Sequence, residues 1–267
     1  FEVATAYWHI DNFMRYVNET LDVPARPQAY PSGVRFDAHG VNGQDQSYFT
    51  SGSDRLSFGE GWVDDAEDAD VIIHELGHGL HDWLASISNV ADGLSEGFGD
   101  YAAASYTRSL GILSASDPSY YWVFKWDGHN TFWPGRRTDI SSNYPAGGGI
   151  HAVGQHWSTS LMRVWNIVGG PRTDTAVFEG MAMTNGGTRQ PQAAQAVMQA
   201  AANMGYSQTE IQAFFNSFTQ QGYTGLTMPV ANEGDRPETL DGALEISSAR
   251  PNPFFGTTQV DVRVNEA

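Results

Sequence analysis

Cysteine is absent from the 267 residues, which excludes disulfides and thiolate metal sites. A metal in this chain therefore has to be held by histidine, aspartate or glutamate. Lysine is nearly absent as well: Lys125 is the only one, and every other basic residue is arginine. With 31 acidic side chains against 14 basic ones the net charge is −17, which argues against nucleic acid or an anionic membrane as partner. No apolar run approaches the roughly 18 residues needed to cross a bilayer, so no membrane insertion is expected. The chain begins at Phe1 with neither an initiator methionine nor a signal-like stretch, and it reads as a mature or trimmed product. Strong acidity with one lysine also fits a protein kept soluble at high salt by a carboxylate surface; the plainer alternative is an ordinary acidic exoprotein.

Periodicity places several helices. Ile10, Phe13, Met14, Val17 and Leu21 fall at helical spacing, and Pro24 and Pro27 close that segment. Residues 30 to 62, rich in Gly, Ser and aromatics, read as short strands and turns. Asp70 to Trp83 reads as a helix, and a further one is expected from near Ser95 to about Tyr106. Three more are expected: His151 to Val168, ended by Gly169-Gly170-Pro171; Ala193 to Met204; and one opened by the capping box Ser207-Gln-Thr-Glu210. After a polar stretch from Asn232 to Glu238, two strands are expected at Leu244 to Ser248 and Thr258 to Val264.

The chemistry concentrates in His74-Glu75-Leu76-Gly77-His78, an HExxH pattern. On a helix, residues four apart share a face, so both imidazoles can reach one zinc ion while Glu75, between them, reaches a water on it. The short pattern also arises by chance as two surface histidines on an amphipathic helix. A catalytic zinc needs a third protein ligand and an open position. His81 lies about 10 Å along the axis from His74, too far to join both histidines on one ion, and is read as solvated or supporting the site from behind. Position 84, where a longer histidine motif would need a third histidine, is Leu84. Glu96, eighteen residues beyond His78, supplies the carboxylate, and Asp100, one turn on, can accept a hydrogen bond from a ligand histidine.

These residues resemble the gluzincin metallopeptidases, specifically the thermolysin and fungalysin families, over roughly residues 40 to 220. The resemblance implies an α+β fold: a thermolysin-like zincin with a short amino-terminal mixed α/β subdomain (1–90, holding the HExxH helix) and a mainly helical carboxy-terminal subdomain (91–230, holding the third ligand), the active-site cleft between them. It implies one catalytic Zn2+ on His74, His78 and Glu96, with Glu75 as base. Gln46-Ser47-Tyr48-Phe49, followed by Phe58-Gly-Glu-Gly61, looks like the edge strand that pairs with the substrate backbone. Ile150-His-Ala-Val-Gly-Gln-His-Trp157 is similar to the segment carrying the histidine that stabilises the oxyanion, which makes His151 that helper. Arg136-Arg137 resembles the place of a substrate-binding arginine, and Arg137 is favoured of the two. Val71 and Ile140 are offered as walls of an apolar pocket.

The chain departs from the family pattern at Ile87, where those enzymes carry a tyrosine, and at Ala146, where they carry an aspartate that orients the helper histidine. Tyr144 is a substitute on the oxyanion side. Acidic residues are missing from Tyr101 to Leu110, so a calcium site is in doubt, although Asp70 remains. Residues 231–267 read as a linker and the start of a truncated β-module; Pro251-Asn-Pro-Phe resembles the opening of a type IX secretion sorting domain. The expectation is a secreted bacterial endopeptidase acting on protein or peptide, with the type IX machinery as a further partner. The competing class is a secreted protein- or glycan-binding module that keeps zinc as structure, with Tyr120, Tyr121, Trp122, Trp126 and Trp133 as a glycan platform. Retention of Glu75 argues against it, since a structural zinc site needs no base.

Overall fold

The structure is a computed structural model that describes residues 1–86 and 91–231 and, beyond them, the backbone of two short strands. It is mixed α and β, with helices dominant. The apolar spacing near the start produces α1, Glu2–Arg15, which widens into a single π-helical turn over Tyr16–Thr20. Ala6, Ile10, Phe13, Val17 and Leu21 line its buried side, as their spacing requires.

The Gly- and Ser-rich stretch then forms a small sheet: β1 Arg35–Asp37, β2 Tyr48–Thr50 and β3 Arg55–Ser57, in the order β1-β3-β2. β3 is central, parallel to β1 and antiparallel to β2, which leaves β2 at an edge. The HExxH segment is the middle of α2, Ala69–Ala85, capped by the Asp68 carboxylate accepting from the Asp70 amide. Across the left-handed Asp92-Gly93 turn comes α3, Leu94–Ser109. The stretch that follows is irregular apart from the two-residue pair β4 Trp122–Val123 and β5 Arg136–Arg137. Then come α4 Ile150–Val168, α5 Gly170–Ala182, α6 Gln190–Asn203 and α7 Gln208–Gln220. Ser207 and Glu210 form the expected capping box on α7.

α5 is the helix that the sequence reading leaves out, because Gly169-Gly170-Pro171 reads as a stop. The stop is real at Gly169, whose φ of 97° and ψ of 153° suit only glycine. Pro171, however, falls in the first turn of the next helix, where its missing N–H would have had no partner in any case. In the tail, β6 Leu244–Ile246 pairs antiparallel with β7 Val262–Val264. Pro251 to Gly256, which carry the sorting-domain resemblance, and position 87 lie outside the described residues.

One buried apolar cluster runs from Ala6 through Leu76, Phe98, Trp157 and Phe178 to Tyr223, so the 1–90 and 91–230 portions share a core. Two close backbone approaches set the geometry of its centre. At the α2–α3 crossing, a Cβ on Gly77 would lie 2.8 Å from the Gly99 Cα. At the α3–α4 crossing, a Cβ on Gly97 would lie 2.3 Å from the Gly154 carbonyl oxygen. Only hydrogens fit at these contacts, and they draw α3 against the helices on either side of it.

Candidate metal centre and cleft

His74 and His78, one turn apart on α2, present their Nε2 atoms 3.1 Å from each other. Glu96, in the first turn of α3, brings its carboxylate to 3.5 Å from His74 Nε2 and 3.7 Å from His78 Nε2. The three donor atoms lie within 4.8 Å of one another. The other imidazole nitrogens are held from behind: His74 Nδ1 lies 3.0 Å from the fully buried Asp100, and His78 Nδ1 is 2.8 Å from Ser95 Oγ. Such partners orient the rings with Nε2 inward, as metal ligation needs. Two imidazoles and a carboxylate, converging at the wall of an open cavity, are a donor set that fits zinc with a position to spare. Asp100 therefore stands where its spacing placed it; Ser95 was not anticipated, although its place beside Glu96 was a signal.

Charge is distributed unevenly among these groups. Burial pushes the Glu75 carboxyl up to about 7, and the Glu96 charge adds to the effect. One Glu75 oxygen, Oε2, is buried without a hydrogen-bond partner. Burial alone would hold His74 neutral and Arg136 works the same way, but Asp100 and Glu96 carry it up to about 9, so loading a metal there releases a proton. His78 is pushed down to about 3 by burial. Burial opposes ionisation of Glu96, but His74, His78 and Arg136 outweigh it and hold the carboxyl well below the usual carboxylate range.

Of the two adjacent arginines, Arg136 is the one in the site. It donates to Glu96 Oε2 at 2.8 Å, approaches Asp100 Oδ1 at 3.3 Å and lies over the Phe124 ring, 4.5 Å from its centroid. Arg137, favoured in the sequence reading, points outward and pairs with Asp139. Successive strand residues face opposite ways, and β5 sets Arg136 opposite the buried Val123. That alternation said that only one arginine could enter, but not which.

A cavity of about 820 Å³ opens onto the triad. Gln46, Ser47, Tyr48, Val71, Glu75 and His151 all line it, together with Phe132 and Trp133. His151, in the first turn of α4, is largely exposed, with Nε2 3.4 Å from Glu96 Oε2. Ser47 donates to Asp65 Oδ2 at 2.5 Å, just before the edge strand β2 begins.

Other expectations are corrected. Tyr144 is turned away: its hydroxyl donates to Asp92 and its ring meets Tyr223. Ile140 does not line the cavity; its backbone serves Thr159 and Arg163 instead. His81 is not solvated but fully buried, 3.3 Å from Thr184 Oγ1 and edge-on to Phe98, a turn further along α2 than the two histidines that meet Glu96. The aromatic cluster is dispersed: Tyr120 and Tyr121 pack on Arg108, Trp122 stacks on His129, and Trp133 meets Phe124 at the cavity wall. Asp70, the remaining calcium candidate, accepts from the Lys125 ammonium at 2.9 Å. No family model matches the chain, and no curated protein matches it.

Proposed function

We propose that this chain is a secreted zinc metalloendopeptidase of the gluzincin kind. The observation that carries the reading is the convergence of His74, His78 and Glu96 at a cavity that also receives Glu75 with an unpartnered, buried carboxylate oxygen. A structural zinc site would be closed by four protein ligands and would have no use for such a group. The cavity is then the cleft of a thermolysin-like zincin, between the short mixed α/β part and the helical part. Zinc bound to the triad supplies Lewis acidity to the attacking water and the scissile carbonyl.

The protein's own groups do the rest. Glu75, held near 7 by burial, takes the proton of the attacking water and delivers it to the leaving amine. His151 donates to the carbonyl oxygen as negative charge develops there. Arg136, fixed by Glu96 and Asp100 and with Nη2 3.3 Å from His74 Nε2, sets a positive charge at the cavity wall where it stabilises negative charge developing on a substrate carbonyl. The free edge of β2 pairs with the substrate backbone and sets its direction. The resemblance of the tail to a sorting domain supports export through the type IX machinery.

Glu75→Gln keeps the size and burial of the side chain and removes the base. With zinc content unchanged, new amino termini from an unfolded protein substrate should form at least about 100-fold more slowly than with the wild type. Equal rates would overturn the assignment of Glu75 and, with it, the peptidase.

A further inference from the structure

Three carboxylates share the cavity with the metal triad but take no part in it. Asp45, Asp65 and Asp127 bring their oxygens within 4.8 Å of one another on the cavity wall. They come from three separate stretches of the chain, and each stretch is fixed by its neighbours. Asp65 accepts from the Gly59 amide and Ser47 Oγ through Oδ2. The Asp127 amide donates to Asp68 Oδ2 at 2.9 Å, which fixes that loop over the start of α2. Gly61 packs against the backbone of Asp45 so closely that a Cβ there would lie 2.5 Å from the Asp45 nitrogen.

No cation answers these charges among the described residues. Lys125, two positions from Asp127, turns to Asp70 and Thr107. Arg136 is committed to Glu96 and Asp100. Burial raises Asp127 to about 7, and the charges that add to this are all carboxylates: Asp65, Asp45 and Asp68. Asp65 is the telling member. It is 3% exposed, both its bonds go to Oδ2, and among the described residues Oδ1 has no hydrogen-bond partner. Its Oδ1 is the oxygen left to the open cavity, where a donor from outside the chain can reach it.

We propose that Asp45, Asp65 and Asp127 form a subsite for a cationic side chain of the substrate, arginine above all, close to the bond that is cut. The proposal rests on the peptidase reading and names its substrate class. Ser47, which holds Asp65, leads directly into the edge strand β2, so a peptide laid along that edge carries its alternate side chains past the acidic group. A planar guanidinium can meet two carboxylates at once, and the aromatic faces of Phe132 and Trp133 in the same cavity suit its flat surface.

The test uses the zinc-loaded full chain and quenched peptides that differ only in arginine or citrulline, its neutral isostere, at one position flanking the cut. At one such position arginine should raise kcat/KM by about tenfold. The arginine-to-citrulline ratio should fall towards one in both Asp127→Asn and Asp45→Asn. A wild-type ratio near one at every position, or a ratio that survives both substitutions, overturns the subsite while leaving the peptidase standing. If neither peptide is cut, the peptidase reading is what has failed, and the subsite is judged by affinity of the same peptides for the same protein. Equal affinities overturn it; a preference for arginine that both substitutions abolish sustains it. Tight binding of Ca2+ alone, lost in both variants and displacing the arginine preference, would make the group a metal site and overturn the proposal.

Discussion

Asp174, on α5, sits fully buried with hydroxyl donors on both oxygens: Tyr16 on Oδ2, Tyr101 on Oδ1 and Ser105 on both. Trp165 of α4 donates in turn to Ser105 Oγ. Burial lifts the Asp174 carboxyl to about 6, because the hydroxyls that pull it back do not replace what water would supply. The unfolded chain releases that proton near the ordinary aspartate value of about 4. Between these two values the native state holds the extra proton, so stability falls as pH rises from about 4 to about 6 and is level above. The loss across that window should amount to about 3 kcal/mol at most. Asp174→Asn should flatten this part of the profile, read as the difference between the two proteins' unfolding midpoints at each pH. A variant whose midpoint falls as steeply as the wild type's would place the titration elsewhere.

Helices carry the site through their crossings. A Cβ on Gly99 would lie 2.6 Å from His74 Nδ1, and one on Gly77 would lie against α3 away from the ligands. Gly99→Ala should therefore displace the His74 ring from Asp100 and weaken zinc binding about 10- to 100-fold, measured by competition with a chelating dye. Gly77→Ala, which meets only α3, should cost about 1–3 kcal/mol of stability and serves as the control for loosened packing. Wild-type zinc affinity in Gly99→Ala would mean that the crossing has slack. Much of this was legible in the chain: His74, His78, Glu96 and Asp100 are spaced one helical turn apart in two pairs, and regular periodicity transmits geometry. The places of Arg136, Asp65 and Asp127 were not legible, because a two-residue strand and short irregular stretches carry no periodicity and are positioned by contacts with other segments. Tyr144 failed for the same reason, since nothing local marked Asp92 as its partner. The α5 error came from reading Pro171 as an ending when its chemistry equally suits a beginning.

The charge of the molecule is as one-sided at its surface as in its composition, although both acids and bases are buried. Arg108 is turned inward to Asn166 and the Tyr120 carbonyl, Arg163 to Gln221 and the Ile140 carbonyl, Arg136 to the site, and Lys125 to Asp70. What remains outside is predominantly carboxylate, within a net charge of −17. Self-repulsion of that kind is screened by salt. The thermal midpoint should rise by several degrees between about 0.1 M and about 1 M salt, equally for NaCl and KCl. A midpoint that stays flat or falls would show that the acidic surface carries no such cost.

The pairing of Asp70 with the only lysine has a consequence for handling the protein. The positive charge at this end of α2 is covalently tethered through Lys125, which also reaches Thr107 of α3. It cannot be diluted away, outcompeted or dialysed out. A chelator does not act on that ion pair, so emptying the proposed metal site at the triad should leave the start of α2 pinned. On the proposed zinc reading, removing and returning the ion should therefore withdraw and restore activity while the fold stays intact.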